Sequence, residues 1–256
     1  MIFWIASYPK SGNTWLRALI SSYFYSEDGK FDEKIISKIG QFPEKRHFTS
    51  FDYDQNIVTD TARFWLKAQE KINLDKKLNF FKTHNAFGSV NNSPFTDAKN
   101  SIGAIYVVRD PRNVITSLKN HYDLDYEQSL DFMLNEKKYI YDIQEKNDYA
   151  DFHFLSSWSN HYKSWISNNL FKKIVIKYED LENDTFKTLK NLIIYINTLY
   201  QTNDKVDEQK INNCIKTTNF EILKNKEKKE GFSENVYSEK TKKKIQCSNC
   251  NRIGWC

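Results

Sequence analysis

A short polar loop at residues 7–15, SYPKSGNTW, carries the groups in this chain that are best suited to chemistry. It follows an apolar run at residues 2–6 and precedes apolar residues spaced three or four apart, so we predict a strand, a loop and a helix start. A helix start offers unpaired N–H groups and a positive dipole end, which suit an anion. In this loop Lys10 adds a positive charge, and Gly12 lets the backbone approach a phosphate closely. Hydrogen-bond donors or helix caps come from Ser11, Asn13 and Thr14. A Walker A loop is excluded, because its second Gly-Lys pair is missing.

A lysine and a histidine end a second apolar run, at residues 79–83. Open α/β sheets bind ligands beyond the carboxyl ends of their strands. His84 is a candidate general base because its ordinary pKa lies near neutrality, and Lys82 is suited to stabilise charge on a transferring group. A lone histidine at a strand end is more often structural. A functional interpretation of His84 is favoured only because the first loop is present in the same sequence. The other histidines lack such a setting, and we predict them to be structural or solvated: His47, His121, His153 and His161.

An arginine ends the clearest predicted strand, residues 102–108, and a serine follows about two helical turns later. Arg109 suits bidentate contacts to a phosphate, and Ser117 adds one donor. Pro111 fits the first turn of a helix, with Asp110 as its cap. A strand-end arginine paired with a local carboxylate is the alternative interpretation of Arg109.

These three motifs, in this order, resemble the sulfotransferase family. Its loop Y-P-K-S-G-T-T-W holds the 5′ end of 3′-phosphoadenosine 5′-phosphosulfate (PAPS). Its K-T-H histidine takes the proton of the acceptor hydroxyl, and its R-[DN]-x₆-S arginine and serine bind the 3′-phosphate. The resemblance implies His84, Lys10 and Lys82 as the catalytic residues. It implies cofactor contacts from Lys10, Ser11, Gly12, Asn13, Thr14, Trp15, Arg109 and Ser117.

Two shorter matches add further cofactor contacts. Residues 178–180, Y-E-D, resemble a family element near the adenine, and residues 218–223 resemble T-S-F-E-x-M, which lines the nucleotide. These matches imply contacts from Tyr178, Thr218 and Phe220. An aromatic side chain such as Phe220 or Trp15 can stack on a base, although either is more often a core residue.

The C-terminal segment, residues 224–256, is rich in lysine and cysteine and departs from the family pattern. The family usually ends in R-K-G and G-x-W-K elements that close over the 3′-phosphate, and Arg252 and Gly254 stand in for part of them. Cys247, Cys250 and Cys256 supply three possible zinc ligands, whereas a structural zinc site needs four. We therefore expect no metal; a truncated or altered terminus is also compatible with this segment.

Alternating apolar runs and helical patterns predict the fold. The four runs, at residues 2–6, 79–83, 102–108 and 173–178, suit parallel strands buried on both faces. Helices are predicted near residues 61–71, 111–120, 154–167 and 184–197. The prediction is a single domain over residues 1–256, a three-layer α/β/α architecture with a central parallel sheet and P-loop-like nucleotide binding. Residues 28–60 show little periodicity and are predicted to form surface structure over the sheet.

Composition narrows the class further. A net charge of +5 suits an anionic ligand without requiring nucleic acid. No apolar run approaches the roughly 18 residues of a membrane span, and the strand at residue 2 leaves no room for a signal peptide. We therefore predict a cytoplasmic protein, with no disulfide framework among its four cysteines.

The prediction is a PAPS-dependent O-sulfotransferase that releases adenosine 3′,5′-bisphosphate and requires no metal. The acceptor is a hydroxyl of a small molecule, lipid, glycan or peptide, and the oligomeric state is open. Two alternatives remain. One is a P-loop-type nucleotide-dependent kinase, which would need a Mg²⁺-binding serine or threonine after a Walker lysine that this loop does not supply in register. The other is a non-catalytic nucleotide-binding relative.

Overall fold

Nine short or medium strands are found in the part of the chain that a computed structural model describes, which is residues 1–141, 148–202, 204–219 and 222–223. In chain order they are β1 (Ile2–Ser7), β2 (Gly40–Gln41), β3 (Asn79–Thr83), β4 (Ser89–Val90), β5 (Ser93–Pro94), β6 (Ser101–Val108), β7 (Tyr139–Ile140), β8 (His153–Phe154) and β9 (Lys172–Lys177). Five of them form a parallel sheet in the order β2-β3-β1-β6-β9. The central parallel sheet expected from the apolar runs is confirmed.

Helices connect and cover these strands. In chain order they are α1 (Asn13–Tyr25), α2 (Glu33–Ile36), α3 (Trp65–Ile72), α4 (Pro111–Tyr122), α5 (Tyr126–Leu134), α6 (Trp158–Ser167), α7 (Tyr178–Asn183), α8 (Thr185–Tyr200) and α9 (Glu208–Thr217). No helix among the described residues is both long enough and apolar enough to cross a membrane.

Both faces of the sheet are covered, which makes three layers. All six residues of β1 are buried, because alternate side chains enter two different cores. Phe3 and Ile5 pack with apolar residues of α1, α8 and α9 on one face. Trp4 packs on the other face with an aromatic core that includes Trp65 of α3 and Trp165 of α6.

The segment at residues 28–60 differs from the prediction of surface structure. It contributes edge strand β2, which pairs with β3, and it buries Ile39, Phe42 and Phe48 completely. Phe42 meets Trp4 edge-on with ring centroids 5.7 Å apart, so the segment forms part of the core. A strand of two residues has no periodicity to detect, which explains why the sequence pattern missed it.

Three element boundaries also shift. The helix expected at residues 61–71 begins as a 3₁₀ turn, Asp60–Phe64, before α3. The helix expected at residues 154–167 starts only at Trp158, because β8 precedes it and the Ser157 side chain accepts a bond from the Asn160 N–H. Tyr178, expected to end a strand, begins α7 instead.

Candidate active site

The predicted site residues converge at one edge of the sheet. β1 lies between β3 and β6 in parallel register, with Ala6 opposite Thr83 and Ser7 opposite Val107. The residues that follow these strands therefore leave the sheet side by side. They are the loop 8–12 after β1, His84 after β3 and Arg109 after β6.

The loop after β1 has an unusual backbone. Lys10 and Gly12 both adopt positive φ angles, of 67° and 91°. Gly12 immediately precedes α1 and provides no side-chain cap, so the first N–H groups of the helix have no partner from that position. A helix start of this kind is suited to an anion, as the sequence predicted.

Arg109 is buried against this loop. Its Nη1–H donates to the Lys10 carbonyl at 3.2 Å, and its guanidinium carbon lies 4.3 Å from the centre of the Tyr178 ring. Trp15 meets the same ring edge-on, with centroids 5.9 Å apart. The arginine, the loop and the aromatic residue after β9 thus form one contiguous cluster, although about 70 to 170 residues of chain separate its parts.

Two hydroxyl groups of the predicted set are buried and form no hydrogen bond with the described part of the chain. Neither Ser11 Oγ nor Ser117 Oγ has a hydrogen-bond partner among the described residues, although both side chains are at least nine-tenths buried. A buried hydroxyl without a partner costs about 1–3 kcal/mol, so such groups commonly await a ligand or water. Helix α4, which carries Ser117, packs through Val114 and Leu118 onto Tyr8 of the loop.

The Asn13 side chain faces the protein interior. Its Nδ2 donates to the Ile5 carbonyl at 3.0 Å and to Ser7 Oγ at 3.1 Å, and the side chain is 4% exposed. Asn13 is the first residue of α1, so its backbone N–H is one of the groups that a helix leaves unpaired. A nucleotide contact from Asn13 stays a prediction for this backbone group.

His84 is held by the end of β1. Its Nδ1 lies 2.7 Å from the Ser7 carbonyl and 3.4 Å from Ser7 Oγ. Because a carbonyl only accepts, Nδ1 carries the hydrogen and Nε2 keeps a lone pair. Burial holds the pKa of His84 well below its ordinary value, and the positive charges of Lys82 and of His153, when protonated, act in the same direction. A neutral imidazole with a free Nε2 lone pair can accept a proton.

Two further histidines hold the backbone of His84. The His84 N–H points to His153 Nδ1 at 3.4 Å, and His161 Nε2–H donates to the His84 carbonyl at 3.1 Å. His161 Nδ1 in turn accepts from the Tyr106 hydroxyl at 2.8 Å. Burial lowers the pKa of His153 to about 3 and that of His161 to about 4. The sequence predicted that these histidines are either structural or solvated. Both are buried, so the structural alternative applies to both.

The two lysines differ in exposure. Lys82 on β3 is 8% exposed, and its charge is among the causes that lower the pKa of His84 and of His153. Lys10 lies half-buried in the loop. A buried cation next to a neutral histidine supplies positive charge without removing the lone pair of the imidazole.

The remaining predicted contacts are only partly described. Thr218 is buried at the end of α9, where its hydroxyl donates to the Cys214 carbonyl at 2.8 Å. Leu223 packs with Ala18 and Phe31, which brings this segment against α1. Phe220, Arg252 and Gly254 lie outside the described residues, as do the other three cysteines, Cys247, Cys250 and Cys256.

No cluster of three or more metal-ligating side chains is found within the described ranges.

The sequence analysis did not identify Ser7, His153 and His161 as neighbours of His84. No local motif marks them, because they lie 69 to 77 residues from His84 along the chain and meet it only through the packing of β1, β8 and α6.

Comparisons with known proteins agree with this geometry. The family profile described as the sulfotransferase domain matches residues 2–251. Luciferin sulfotransferase of Photinus pyralis is 24% identical over 228 residues, which cover 86% of this chain and 56% of that protein. Cytosolic sulfotransferase 17 of Arabidopsis thaliana is 23% identical over 233 residues, which cover 90% and 61%. The chain thus spans less than two-thirds of the length of these relatives.

The fold resembles that of a solved structure. Mouse sulfotransferase SULT7A1, complexed with PAP, superposes with a TM-score of 0.51 at 20% sequence identity, covering 87% of this chain and 64% of the mouse chain. The superposition covers most of this chain, so it supports the three-layer α/β architecture with a central parallel sheet.

Proposed function

Because this chain belongs to the sulfotransferase domain family, we propose that it transfers the sulfuryl group of PAPS to a hydroxyl group of an acceptor molecule. The observation that carries this proposal is the junction of loop, arginine and histidine at one sheet edge. Arg109 donates to the Lys10 carbonyl, and His84 donates to the Ser7 carbonyl, so the end of β1 and the loop after it hold both candidate functional side chains.

The site residues fit a nucleotide with phosphates at both ends. One end would be held by the start of α1 with Lys10 and Ser11, and the other by Arg109 and Ser117. The buried hydroxyls of Ser11 and Ser117, which lack partners among the described residues, support this fit, and Gly12 adds no side-chain cap that would compete with an anion at the helix start. PAPS, when bound, supplies the sulfuryl group and leaves as adenosine 3′,5′-bisphosphate.

Three side chains of this protein would assist the transfer. Nε2 of His84 accepts the proton of the acceptor hydroxyl, whose oxygen forms the new bond to sulfur. Lys10 and Lys82 stabilise the negative charge on the transferring and leaving oxygens. Because little covalent chemistry falls to the protein in such a transfer, positioning and charge account for most of the rate enhancement.

The acceptor is proposed to be a small molecule with a hydroxyl group. The relative from Photinus pyralis is named for luciferin, which supports this class over a lipid or glycan. The Arabidopsis relative is named a cytosolic sulfotransferase, which supports the cytoplasmic location predicted from the sequence. Contacts from Arg252 and Gly254 to the 3′-phosphate belong to the same proposal.

Turnover of radiolabelled PAPS against a panel of alcohols and phenols tests this function. We expect label in an acceptor and stoichiometric release of adenosine 3′,5′-bisphosphate. Phosphoryl transfer from ATP with Mg²⁺ would instead identify a kinase. Tight binding of adenosine 3′,5′-bisphosphate, with no transfer to any acceptor or to water, would identify a non-catalytic nucleotide-binding relative.

A further inference from the structure

We propose that Asn13 and Ser7 are positioning residues that couple the nucleotide-binding loop to the orientation of His84. This inference rests on the proposed function for its catalytic consequence, but its structural part concerns the hydrogen-bond chain alone. The chain runs from the first residue of α1, through the last residue of β1, to the imidazole after β3.

Asn13 closes the loop onto the strand that precedes it. Its Nδ2 carries two hydrogens, and the two recorded bonds, to the Ile5 carbonyl and to Ser7 Oγ, use both of them. The amide is buried, so neither bond competes with bulk water. Any movement of the start of α1 therefore pulls on the end of β1.

Ser7 passes this constraint to the imidazole. It is fully buried, and both its carbonyl and its hydroxyl oxygen lie near His84 Nδ1, at 2.7 Å and 3.4 Å. The carbonyl bond selects the tautomer with hydrogen on Nδ1 and so directs the Nε2 lone pair away from β1. Asn13 bonds the Ser7 hydroxyl and the Ile5 carbonyl, so it fixes the end of β1 and with it the Ser7 carbonyl. Loss of the bond between Asn13 and Ser7 lets this carbonyl shift away from Nδ1, so the orientation and the tautomer of His84 depend on the loop.

The residue type at position 13 matters for this bridge. The sulfotransferase loop pattern Y-P-K-S-G-T-T-W has threonine where this chain has Asn13. The hydroxyl of threonine is attached to Cβ, whereas the amide nitrogen of asparagine lies one bond further out and brings two hydrogens. Threonine at position 13 therefore cannot reach both the Ile5 carbonyl and Ser7 Oγ from the same backbone position.

The decisive experiment observes the His84 tautomer directly, by long-range ¹H–¹⁵N NMR of histidine side chains in the full chain without nucleotide. The His84→Gln variant assigns the signal. We expect hydrogen on Nδ1 in the wild type and a mixture of tautomers in Asn13→Thr and in Ser7→Ala. Ser22→Ala is the matched control, because Ser22 is also buried on α1 and its hydroxyl bonds no described residue.

Kinetics then measure the consequence. In Asn13→Thr we expect kcat to fall by about 3–10-fold, the worth of one hydrogen bond, with the Kd of adenosine 3′,5′-bisphosphate and the acceptor KM changed by less than about twofold. Hydrogen on Nε2 of wild-type His84, or an unchanged tautomer and kcat in both variants, would overturn the proposal. If Asn13→Thr does not fold, Ser7→Ala decides. If neither the wild type nor a variant transfers sulfuryl groups, but the tautomer of His84 shifts in the variants as expected, the proposed function is wrong. The structural coupling of Asn13 and Ser7 to His84 is then still supported.

Discussion

The ring of Tyr178 occupies the space that a Cβ atom on Gly12 would need. A Cβ built at residue 12 would lie 2.3 Å from Cδ2 of this ring, and the φ angle of Gly12 is +91°. The same ring packs on the guanidinium of Arg109. Glycine is therefore required here for close packing as well as for backbone conformation, and a larger residue would displace the ring from both neighbours.

Replacing Gly12 with alanine should lower the free energy of unfolding by about 1–3 kcal/mol, because it combines a left-handed φ with a steric overlap. Urea denaturation measures this change. Gly88→Ala is the control, because a Cβ built at that exposed residue meets no described atom within 4 Å other than those of its chain neighbours. This substitution should alter stability by less than about 0.5 kcal/mol. Equal effects of the two substitutions would contradict the packing argument.

The buried guanidinium of Arg109 should bind the 3′-phosphate of the nucleotide. We expect adenosine 3′,5′-bisphosphate to bind far more tightly than AMP in calorimetry, and Arg109→Lys to weaken the bisphosphate by about 10–100-fold. Arg112→Ala is the control, because the Arg112 side chain is 88% exposed and pairs with Asp110. Equal affinities for the bisphosphate and AMP would remove Arg109 and Ser117 from the cofactor site.

Loss of the imidazole at His84 should affect turnover and spare the nucleotide. His84→Ala is expected to lower kcat by about 10²–10⁴-fold if Nε2 is the general base. The affinity for adenosine 3′,5′-bisphosphate, measured by calorimetry, should change little, since His84 is assigned to the acceptor side. His121→Ala serves as the comparison, because His121 lies on α4 outside the proposed site. Near-normal turnover of His84→Ala on the true acceptor would exclude His84 from the mechanism.

The buried histidines should make the fold sensitive to acid. The pKa values of His153 and His161 are lowered to about 3 and about 4, whereas an unfolded histidine titrates near 6.5. The unfolded state therefore binds protons first as pH falls below about 6.5, and each histidine lowers the unfolding free energy by up to roughly 1.4 kcal/mol per pH unit.

Urea denaturation between pH 6.5 and pH 4.5 should show this slope of the unfolding free energy against pH. The His161→Phe substitution should reduce the slope by the amount that corresponds to about one bound proton. Measurements from pH 7.5 to 8.5 provide the baseline, since neither state of these histidines titrates there. The same slope in His161→Phe and wild type would show that His161 is not buried in its neutral form.

Deletion of residues 247–256 tests the C-terminal contact. If Arg252 closes over the 3′-phosphate, the deletion should weaken adenosine 3′,5′-bisphosphate by roughly one to two orders of magnitude, because a charge-assisted contact is lost. Unchanged affinity would exclude a cofactor role for Arg252. A fall in thermal stability on adding a chelator, with about one zinc per chain by metal analysis, would contradict the expected absence of metal.

Local sequence was enough to predict the sheet and the loop that follows its central strand. Continuous apolar runs as short as residues 2–6 are typical of strands buried on both faces, and Asp110 before Pro111 is a recognisable helix start, where the Asp110 side chain accepts from the Arg112 N–H. The two-residue strand β2 was missed because pairing to β3, rather than its own composition, makes it a strand.

What the sequence alone determined about this protein is the identity of the groups that follow three buried strands: a cationic loop at Lys10, a histidine at position 84 and an arginine at position 109. Only the tertiary structure decided how they are held. The tautomer of His84, its lowered pKa, and its contacts with Ser7 and His161 arise from parallel register and burial, which bring together groups that no spacing along the chain could relate.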